Sequence, residues 1–284
     1  MFELVHAERD NFPVALSCRV LEVSRSGYYR WLQAEPSKRE CDDAVLKAHV
    51  KDIHREHKGR YGSPRIHREL KERGHCVGRK RVARLMREEG LQGRKKRRFR
   101  RTTDSRHSLR IAPNLLNRDF TSASANKVWV GDITYVPTTE GWLYLAVLLD
   151  MFSRRVVGWA MSDHIDTELA LKALEMACVA RNPPAGLVHH TDRDVRYASD
   201  EYQQALTDMG AVPSMSRKAD CWDNAVAESF FATLEKELLG DKAIRSRRLT
   251  RVAIANYIEN YYNVRRRHSH IGFATPLEHE LVAA

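Results

Sequence analysis

The two parts of the chain on either side of residue 126 differ sharply in charge. Residues 1–125 contain 30 Lys and Arg against 16 Asp and Glu, a net charge of +14, whereas residues 126–284 contain 18 against 21, a net charge of −3. A strongly positive segment favours contact with a polyanion such as nucleic acid. The second part is rich in carboxylates, so we expect it to have a function other than binding a polyanion.

Composition excludes several classes of protein. At 284 residues the chain is long enough for two domains, and its 43% hydrophobic content is ordinary for a globular protein. The longest apolar run, "WLYLAVLLDMF", is too short to span a bilayer and is interrupted by Asp150. The N-terminus lacks the basic and apolar regions of a signal peptide, so we expect a cytoplasmic protein with no membrane partner. The five scattered cysteines form no C-x-x-C pair and indicate no zinc site.

The basic part contains two patterns of helix-turn-helix dimensions. Residues 13–32 predict two short helices with a turn near residues 22–24. Residues 63–90 predict a second pair with a turn at residues 74–78. Apolar residues of the last helix recur at helical spacing and leave its basic residues outward. The candidate DNA contacts on this helix are Arg79, Lys80, Arg81 and Arg84.

A block of basic residues, "RKKRRFRR", follows at residues 94–101. Such a block repels itself and cannot join a core, so we predict an extended arm that DNA phosphates hold in place. Its candidate phosphate contacts are Arg94, Lys95, Lys96, Arg97, Arg98, Arg100 and Arg101.

Beyond residue 126 the pattern changes to strands and helices. Three strands separated by turn signals predict an antiparallel meander, and helix, strand, helix, strand and helix follow. The predicted strands cover residues 127–136, 142–153, 154–162, 187–192 and 211–214, and the helices cover 166–180, 199–209 and 224–239. The order predicts an α/β domain in which helices flank a mixed five-stranded sheet.

Three carboxylates occupy unusual places in this pattern. Asp132 lies in the middle of the apolar strand "KVWVGDITYV", Asp192 ends the fourth strand, and Glu228 lies at the edge of the apolar stripe of the last helix. A buried lone carboxylate is costly, and three together repel unless divalent cations neutralise them. An all-oxygen site of this kind favours Mg²⁺ or Mn²⁺. The apolar stripe beside Glu228 is predicted to comprise Ala227, Phe230, Phe231, Leu234 and Leu238.

Several motifs resemble one family. The segments "WVGDITYV", "HHTDRDVRY" and "SMSRKADCWDNAVAESFFATLEKEL" resemble the catalytic core of bacterial insertion-sequence transposases of the second-reading-frame type, whose core is similar to that of retroviral integrases. The resemblance extends upstream through "VLEVSRSGYYRW" and "YGSPRIHRELKERG", and downstream through "YIENYYNVRRRHSHIGFATPLEHE". In that family an RNase H-like fold carries a D, D, E triad with the same gap of 35 residues between the last two acids.

The resemblance implies a function and a site. Asp132, Asp192 and Glu228 would be the catalytic residues and the ligands of two Mg²⁺ or Mn²⁺ ions. The implied reaction is hydrolysis of a phosphodiester at a transposon end, followed by strand transfer from the freed 3′-hydroxyl without a covalent protein–DNA intermediate. His190, Asn224 and Lys236 are candidate supporting residues.

The resemblance also implies partners. These are transposon-end DNA and target DNA, further copies of the chain on DNA, and the product of an upstream reading frame, all in a bacterial cytoplasm. The expected domains are an N-terminal helix-turn-helix segment (1–40), a second helical DNA-binding region (41–92), a basic arm (93–125), the integrase-like catalytic core (126–240) and a C-terminal helical segment (241–284).

The chain departs from the family pattern at two places. Where the family usually reads D-R-G-x-Q-Y after the second acid, this chain has Asp194 in place of glycine and Arg196 in place of glutamine. Glu235 stands where the family often has a basic residue, and Lys236 is displaced by one position. Aspartate at a glycine position predicts backbone strain and another negative charge beside the site. A catalytically impaired copy is therefore a competing hypothesis.

Two further hypotheses assign the chain to different classes of protein. The basic part alone could serve a DNA-binding regulator that does no chemistry. The segment "YYNVRRRHSH", with Tyr261, Tyr262, His268 and His270, is compatible with a nuclease that forms a covalent tyrosine intermediate. Such nucleases normally place an apolar residue between the two histidines, whereas this chain has Ser269 there.

Overall fold

The computed structural model describes residues 1–94, 109–217, 221–240 and 246–283. The chain divides into two compact units. Unit 1 comprises residues 1–59 and 69–92, and unit 2 comprises residues 60–68 and 93–284. Residues 60–68, which the sequence pattern assigns to the helical region, thus group with the second unit.

The first part of the chain is helical, and the two predicted helix pairs are present. Its helices are α1 (Phe2–Ala7), α2 (Val14–Val20), α3 (Arg25–Gln33), α4 (Lys38–Glu56), α5 (Ser63–Glu72), whose residues are divided between the two units, and α6 (Arg79–Glu88). Val5, Cys18 and Tyr28 form a small core between the first three helices. The hydroxyl of Ser24 accepts a hydrogen bond from the backbone of Gly27 at 3.1 Å and so begins α3.

Unit 2 contains the predicted mixed sheet of five strands, in the order β3-β2-β1-β4-β5. The first three strands are antiparallel, whereas β4 pairs in parallel with β1 and β5 pairs in parallel with β4. The strands are β1 (Val128–Thr138), β2 (Gly141–Asp150), β3 (Val156–Ser162), β4 (Val188–Thr191) and β5 (Val212–Met215).

Helices flank this sheet. They are α7 (Thr167–Arg181), α8 (Val195–Ala198), α9 (Asp200–Asp208), α10 (Ala225–Leu234), α11 (Arg247–Tyr257) and α12 (Pro276–Ala283). Short 3₁₀ turns cover Cys221–Asn224 and Ser269–Ile271, and π-helical turns cover Glu235–Leu239 and Ile258–Tyr262. Within the described part of the chain, no helix is both long and apolar enough to cross a membrane.

The core on one face of the sheet lies beneath α7 and α9. Asp166 begins α7, because its side chain accepts a hydrogen bond from the backbone of Leu169 at 2.9 Å. Apolar side chains of this helix join Trp129 of β1, which is fully buried, and Tyr202 of α9 in one cluster. Trp129 therefore serves core packing.

The last predicted helix differs from the expected one in its final turn. The α-helix ends at Leu234 and continues as the π-helical turn Glu235–Leu239. A π-turn contains more residues than an α-turn, so the side-chain phase shifts. The predicted burial of Leu238 is therefore wrong: Leu238 is half-buried, and Glu237 and Leu239 are buried instead.

Candidate active site

Strand register brings the two predicted aspartates to the same level of the sheet. In the parallel ladder between β1 and β4, Val128 pairs with Val188 and Val130 pairs with His190, a constant offset of 60 positions. The same offset relates Asp132 to Asp192, which directly follows the last residue of β4. Paired residues of parallel strands point to the same face, so this offset favours two neighbouring carboxylates.

The pKa of Asp132 is affected by the charges of the other acids. Burial raises the pKa of Asp132 well above its usual range, and the charges of Asp192, Glu228 and Asp194 raise it further. A hydrogen bond from the backbone N–H of Ile133 to Oδ1, at 2.8 Å, opposes the shift. Asp192 and Glu228 thus lie close enough to Asp132 to disfavour its ionised form.

Glu228 is positioned by the start of α10. It lies in the first turn of this helix and is half-buried. The neighbouring Val226, Ala227 and Phe230 are buried, and α10 packs on β1 and β2. Burial of this apolar stripe fixes the helix against the strand that carries Asp132.

Asn224 ties the start of α10 to β1. Its position in the sequence is compatible with two roles, orientation of Glu228 or capping of the helix. Asn224 occupies the N-cap position but makes no side-chain capping bond; its Nδ2 donates to the backbone oxygen of Gly131 at 3.3 Å. Its Oδ1 is buried and has no hydrogen-bond partner among the described residues. Asn224 therefore holds the first turn of α10 next to Asp132.

Asp223 is a site-forming residue that the sequence pattern does not distinguish from an exposed acid. It is buried, and it accepts hydrogen bonds from the backbone of Arg217 at 2.8 Å, from Nη2 of Arg217 at 2.9 Å and from Nδ2 of Asn114 at 2.9 Å. The Arg217 guanidinium holds the pKa of Asp223 well below its usual range. These bonds tie Asp223, which lies just before α10, to Arg217 and Asn114.

Asp194 and Arg196 compensate each other. Asp194 has φ −71° and ψ 143°, an ordinary extended conformation, so the predicted backbone strain is absent. Its Oδ1 accepts from the backbone of Arg196 at 3.0 Å, its Oδ2 pairs with the Arg196 guanidinium, and its own N–H donates to Oδ1 of Asp192 at 3.1 Å. The aspartate thus orients Asp192, and the arginine offsets the added charge.

His190 has the bonds of a structural histidine. Its Nδ1 lies 2.8 Å from Oγ of Ser214, and its Nε2 lies 3.2 Å from Oγ of Ser216. Burial lowers the pKa of His190 to about 4, so the ring is neutral near pH 7. The neighbouring His189 bonds the hydroxyl of Tyr202 at 2.8 Å, and burial lowers its pKa to about 3.

The remaining predicted residues have different surroundings. Glu235 and Lys236 are half-buried in the π-helical turn. Arg79 and Lys80 are exposed on α6, as predicted, whereas Arg81 and Arg84 pair with Asp43 of α4. Arg94 donates to the backbone oxygen of Glu237 at 2.7 Å. The other candidate contacts lie outside the described residues; they are Lys95, Lys96, Arg97, Arg98, Arg100 and Arg101.

The hypothesis of a tyrosine nuclease lacks an accessible nucleophile. Tyr261 and Tyr262 are both buried. Burial raises the pKa of Tyr262 to about 12 and raises that of Tyr261 above its usual range. Neither hydroxyl is placed to become a nucleophile near neutral pH.

The chemistry of the acidic site fits divalent cations. Within the described ranges, no three His, Cys, Asp or Glu side chains form a preassembled metal-binding cluster. The charges of Asp192 and Glu228 raise the pKa of Asp132, so these carboxylates repel one another. A divalent cation would remove this repulsion, and carboxylate oxygens are the ligands that Mg²⁺ prefers.

Models of known protein families match both parts of the chain. Integrase core domain models match residues 122–221 and 209–276, and an HTH-like domain model matches residues 40–99. Structural similarity to the HTLV-2 integrase catalytic core domain in complex with magnesium has a TM-score of 0.44, at 19% identity over 56% of this chain and 98% of that one.

Two curated relatives cover nearly the whole chain. The insertion element IS600 uncharacterized 31 kDa protein of Shigella sonnei is 46% identical over 91% of this chain and 95% of its own length. Transposase InsF for insertion sequence IS3A of Escherichia coli (strain K12) is 39% identical over 98% of each chain. With this identity, and with HTH-like and integrase core domains in the same chain, the protein belongs to the IS3 family of insertion-sequence transposases.

Proposed function

We propose that this chain is a metal-dependent DNA transposase in which Asp132, Asp192 and Glu228 hold two Mg²⁺ or Mn²⁺ ions. The observation that carries the proposal is geometric: the offset of 60 positions that pairs β1 with β4 also relates Asp132 to Asp192, and α10, which carries Glu228, packs on β1. The charges of Asp192 and Glu228 raise the pKa of Asp132, which supports the same grouping.

The reaction consists of two phosphoryl transfers. In the first, a water oxygen attacks the phosphorus at a transposon end, and the bond to the 3′-oxygen breaks to give a free 3′-hydroxyl and a 5′-phosphate. In the second, that 3′-hydroxyl attacks a phosphodiester of the target strand, forms a new diester and releases a target 3′-hydroxyl. Bound divalent cations supply neutralisation of the charge that develops on the phosphate.

The contribution of the chain is to position its acids. Asp194 orients Asp192 through its N–H, and Asn224 and Asp223 hold the start of α10. Pre-set geometry of this kind lowers the barrier by removing reorganisation from the chemical step. Because Arg196 offsets the charge of Asp194, the departure from the family pattern does not by itself favour an impaired copy.

The partners follow from the same assignment. Transposon ends and target DNA are the substrates, several copies of the chain assemble on them, and the product of the upstream reading frame supplies further DNA recognition. Arg79 and Lys80, exposed on α6, are candidate DNA contacts of unit 1.

The test is cleavage of an intact transposon end together with strand transfer from a pre-nicked one. Asp132→Asn keeps the size of the side chain but removes its charge, so we expect Mg²⁺-dependent cleavage and strand transfer to fall at least about 100-fold. Binding of the same DNA in a gel shift should stay within about twofold of the wild type. A chelator should abolish activity in the wild type.

Asp200→Asn is the matched control, because Asp200 is an exposed acid at the start of α9. This variant should retain wild-type activity. Nicking that persists unchanged in Asp132→Asn would refute the catalytic assignment, and wild-type DNA binding without Mg²⁺-dependent nicking would favour the regulator instead.

A further inference from the structure

A cavity of about 350 Å³ lies in unit 2 against α10, the helix that carries Glu228. Its walls come from α10, from the turn between β2 and β3, and from the segment that follows α11. This volume is ample for a phosphate group.

The cavity is lined by basic side chains. Three arginines, Arg65, Arg154 and Arg266, and two histidines, His268 and His270, are among its lining residues, and no acid is among those that the structure describes there. Two acids that do not line the cavity interact with these arginines. Glu237 accepts from Nε of Arg266 at 3.0 Å and from Nη1 of Arg65 at 3.5 Å, and Asp150 interacts electrostatically with Arg154.

Arg154 is the most informative of these residues. It is 8% exposed, and its Nη2 donates to the backbone oxygen of Phe120 at 2.9 Å. Its Nε is buried and has no hydrogen-bond partner among the described residues. The backbone of Arg154 has φ 63°, a left-handed conformation that is rare outside glycine and that often marks functional sites.

Arg266 completes the basic wall. It is 6% exposed and is held between Glu237 and His268, whose Nε2 lies 3.1 Å from its Nη1. Burial and the neighbouring arginines lower the pKa of His268 well below its usual range. Because His268 is neutral, the positive charge at the cavity lies on the guanidinium groups of the three arginines. Guanidinium groups match the geometry of phosphate oxygens.

We propose that this cavity binds a phosphate group, with Arg65, Arg154 and Arg266 as its donors. The phosphate accepts hydrogen bonds from the guanidinium groups. It offsets the part of their positive charge that Glu237 and Asp150 do not neutralise. The site is separate from the proposed metal ligands, and binding of phosphate to it requires no cation.

The test uses Ser269, which is exposed and lines the cavity. Ser269→Glu adds a negative charge there, and Ser269→Gln adds similar bulk without charge. Isothermal titration of the full chain with inorganic phosphate, at constant ionic strength and with chelator present, should give saturable binding to the wild type. Ser269→Gln should bind comparably, whereas Ser269→Glu should bind at least tenfold more weakly.

Ser124→Glu controls for added charge, since Ser124 is exposed and does not line the cavity. This variant should bind phosphate like the wild type. Circular dichroism and the melting temperature check that all three variants fold. Absence of saturable phosphate binding in the wild type, or equal weakening in Ser269→Glu and Ser124→Glu, would overturn the proposal.

A second measurement identifies the source of the phosphate. If the group belongs to a DNA backbone, Ser269→Glu should weaken duplex binding more than Ser124→Glu does, and inorganic phosphate should compete with DNA. If the group belongs to a free phosphorylated molecule, duplex affinity should be the same in both variants while phosphate binding remains. Because neither readout requires catalysis, the result is independent of the strand-transfer test.

Discussion

Asp194 lies in the loop after Asp192 as the N-cap of α8, and Arg196 lies two residues further on, within α8. The aspartate accepts from the backbone of Arg196 and pairs with its guanidinium, while its own N–H bonds Asp192. Both side chains are mostly buried, so each depends on the other to remain compensated. Substitution of either residue alone therefore leaves the charge of the other without this partner.

This dependence predicts non-additive effects of substitution. Arg196→Gln leaves the Asp194 carboxylate uncompensated near the site, and Asp194→Asn leaves the guanidinium without its partner. Each single change should lower the free energy of unfolding, whereas the double variant should recover part of the loss, with a coupling energy of about 1 to 3 kcal/mol. Urea unfolding of the four proteins measures it. Single effects that simply add would show that the pair is not coupled.

Asp223 leads to a prediction about pH. The Arg217 guanidinium depresses the pKa of Asp223, so the ionised acid stabilises the fold above its ordinary pKa, and this contribution is lost as the pH falls through the depressed value. Asp223→Asn should lower the free energy of unfolding at pH 7 by about 1 to 2 kcal/mol, because Arg217 and Arg118 are 47% and 49% exposed and partly screened by water.

The difference between the wild type and Asp223→Asn should shrink as the pH falls below about 4. Urea unfolding at pH 7, 5, 4 and 3 measures it, with Asp200→Asn as the exposed control. A difference that is constant across this range would mean that the charge of Asp223 contributes nothing.

Among the elements, α7 and β3 make an unusually close contact at Gly158. A Cβ atom at this position would lie 2.2 Å from the backbone oxygen of Ala173 and 2.7 Å from Cβ of Ala177. The helix approaches the sheet this closely because its facing residues are small.

Gly158→Ala should therefore force α7 away from the sheet. We expect the free energy of unfolding to fall by about 2 to 3 kcal/mol, since the overlap is with backbone and cannot be relieved by a flexible side chain. Gly78→Ala is the control, because a Cβ at Gly78 meets no atom within 4 Å. A melting temperature that falls equally in both variants would contradict this interpretation of the contact.

For the whole molecule, the main physical property is the uneven charge. The net charge is +11, and the basic residues are concentrated before residue 126. Charge of this kind makes DNA binding depend steeply on salt, since each phosphate contact releases a counterion. The tertiary structure divides the candidate contacts of α6 into exposed residues and residues that already pair with Asp43.

This division predicts different salt dependences for two double variants. Arg79→Ala with Lys80→Ala should reduce the slope of log K against log salt by about 2, because each lost phosphate contact removes about 0.9. Arg81→Ala with Arg84→Ala should reduce it by less than about 1. Fluorescence anisotropy with duplex DNA at several salt concentrations measures both slopes. A larger reduction in the second variant would assign the DNA contacts to the paired arginines.

Local pattern by itself determined most elements of unit 2. Alternating and helical apolar periods predicted all five strands and the helices α7, α9 and α10, because backbone geometry couples side-chain spacing to secondary structure. The pattern did not predict α4 (Lys38–Glu56) or the short α8 (Val195–Ala198). The acids Asp132, Asp192 and Glu228 could also be selected, since the resemblance and the spacing both depend on residues that are readable along the chain.

Only the tertiary structure decided which charges compensate one another. Folding brings together four sets of opposite charges. They are Asp194 with Arg196, Asp223 with Arg217, Asp43 with two arginines of α6, and Glu237 with Arg266. The π-helical turn that buries Glu237 likewise depends on packing, since nothing in the local period of α10 predicts it. The energy of a charge depends on distance and burial in three dimensions, and a linear pattern contains neither.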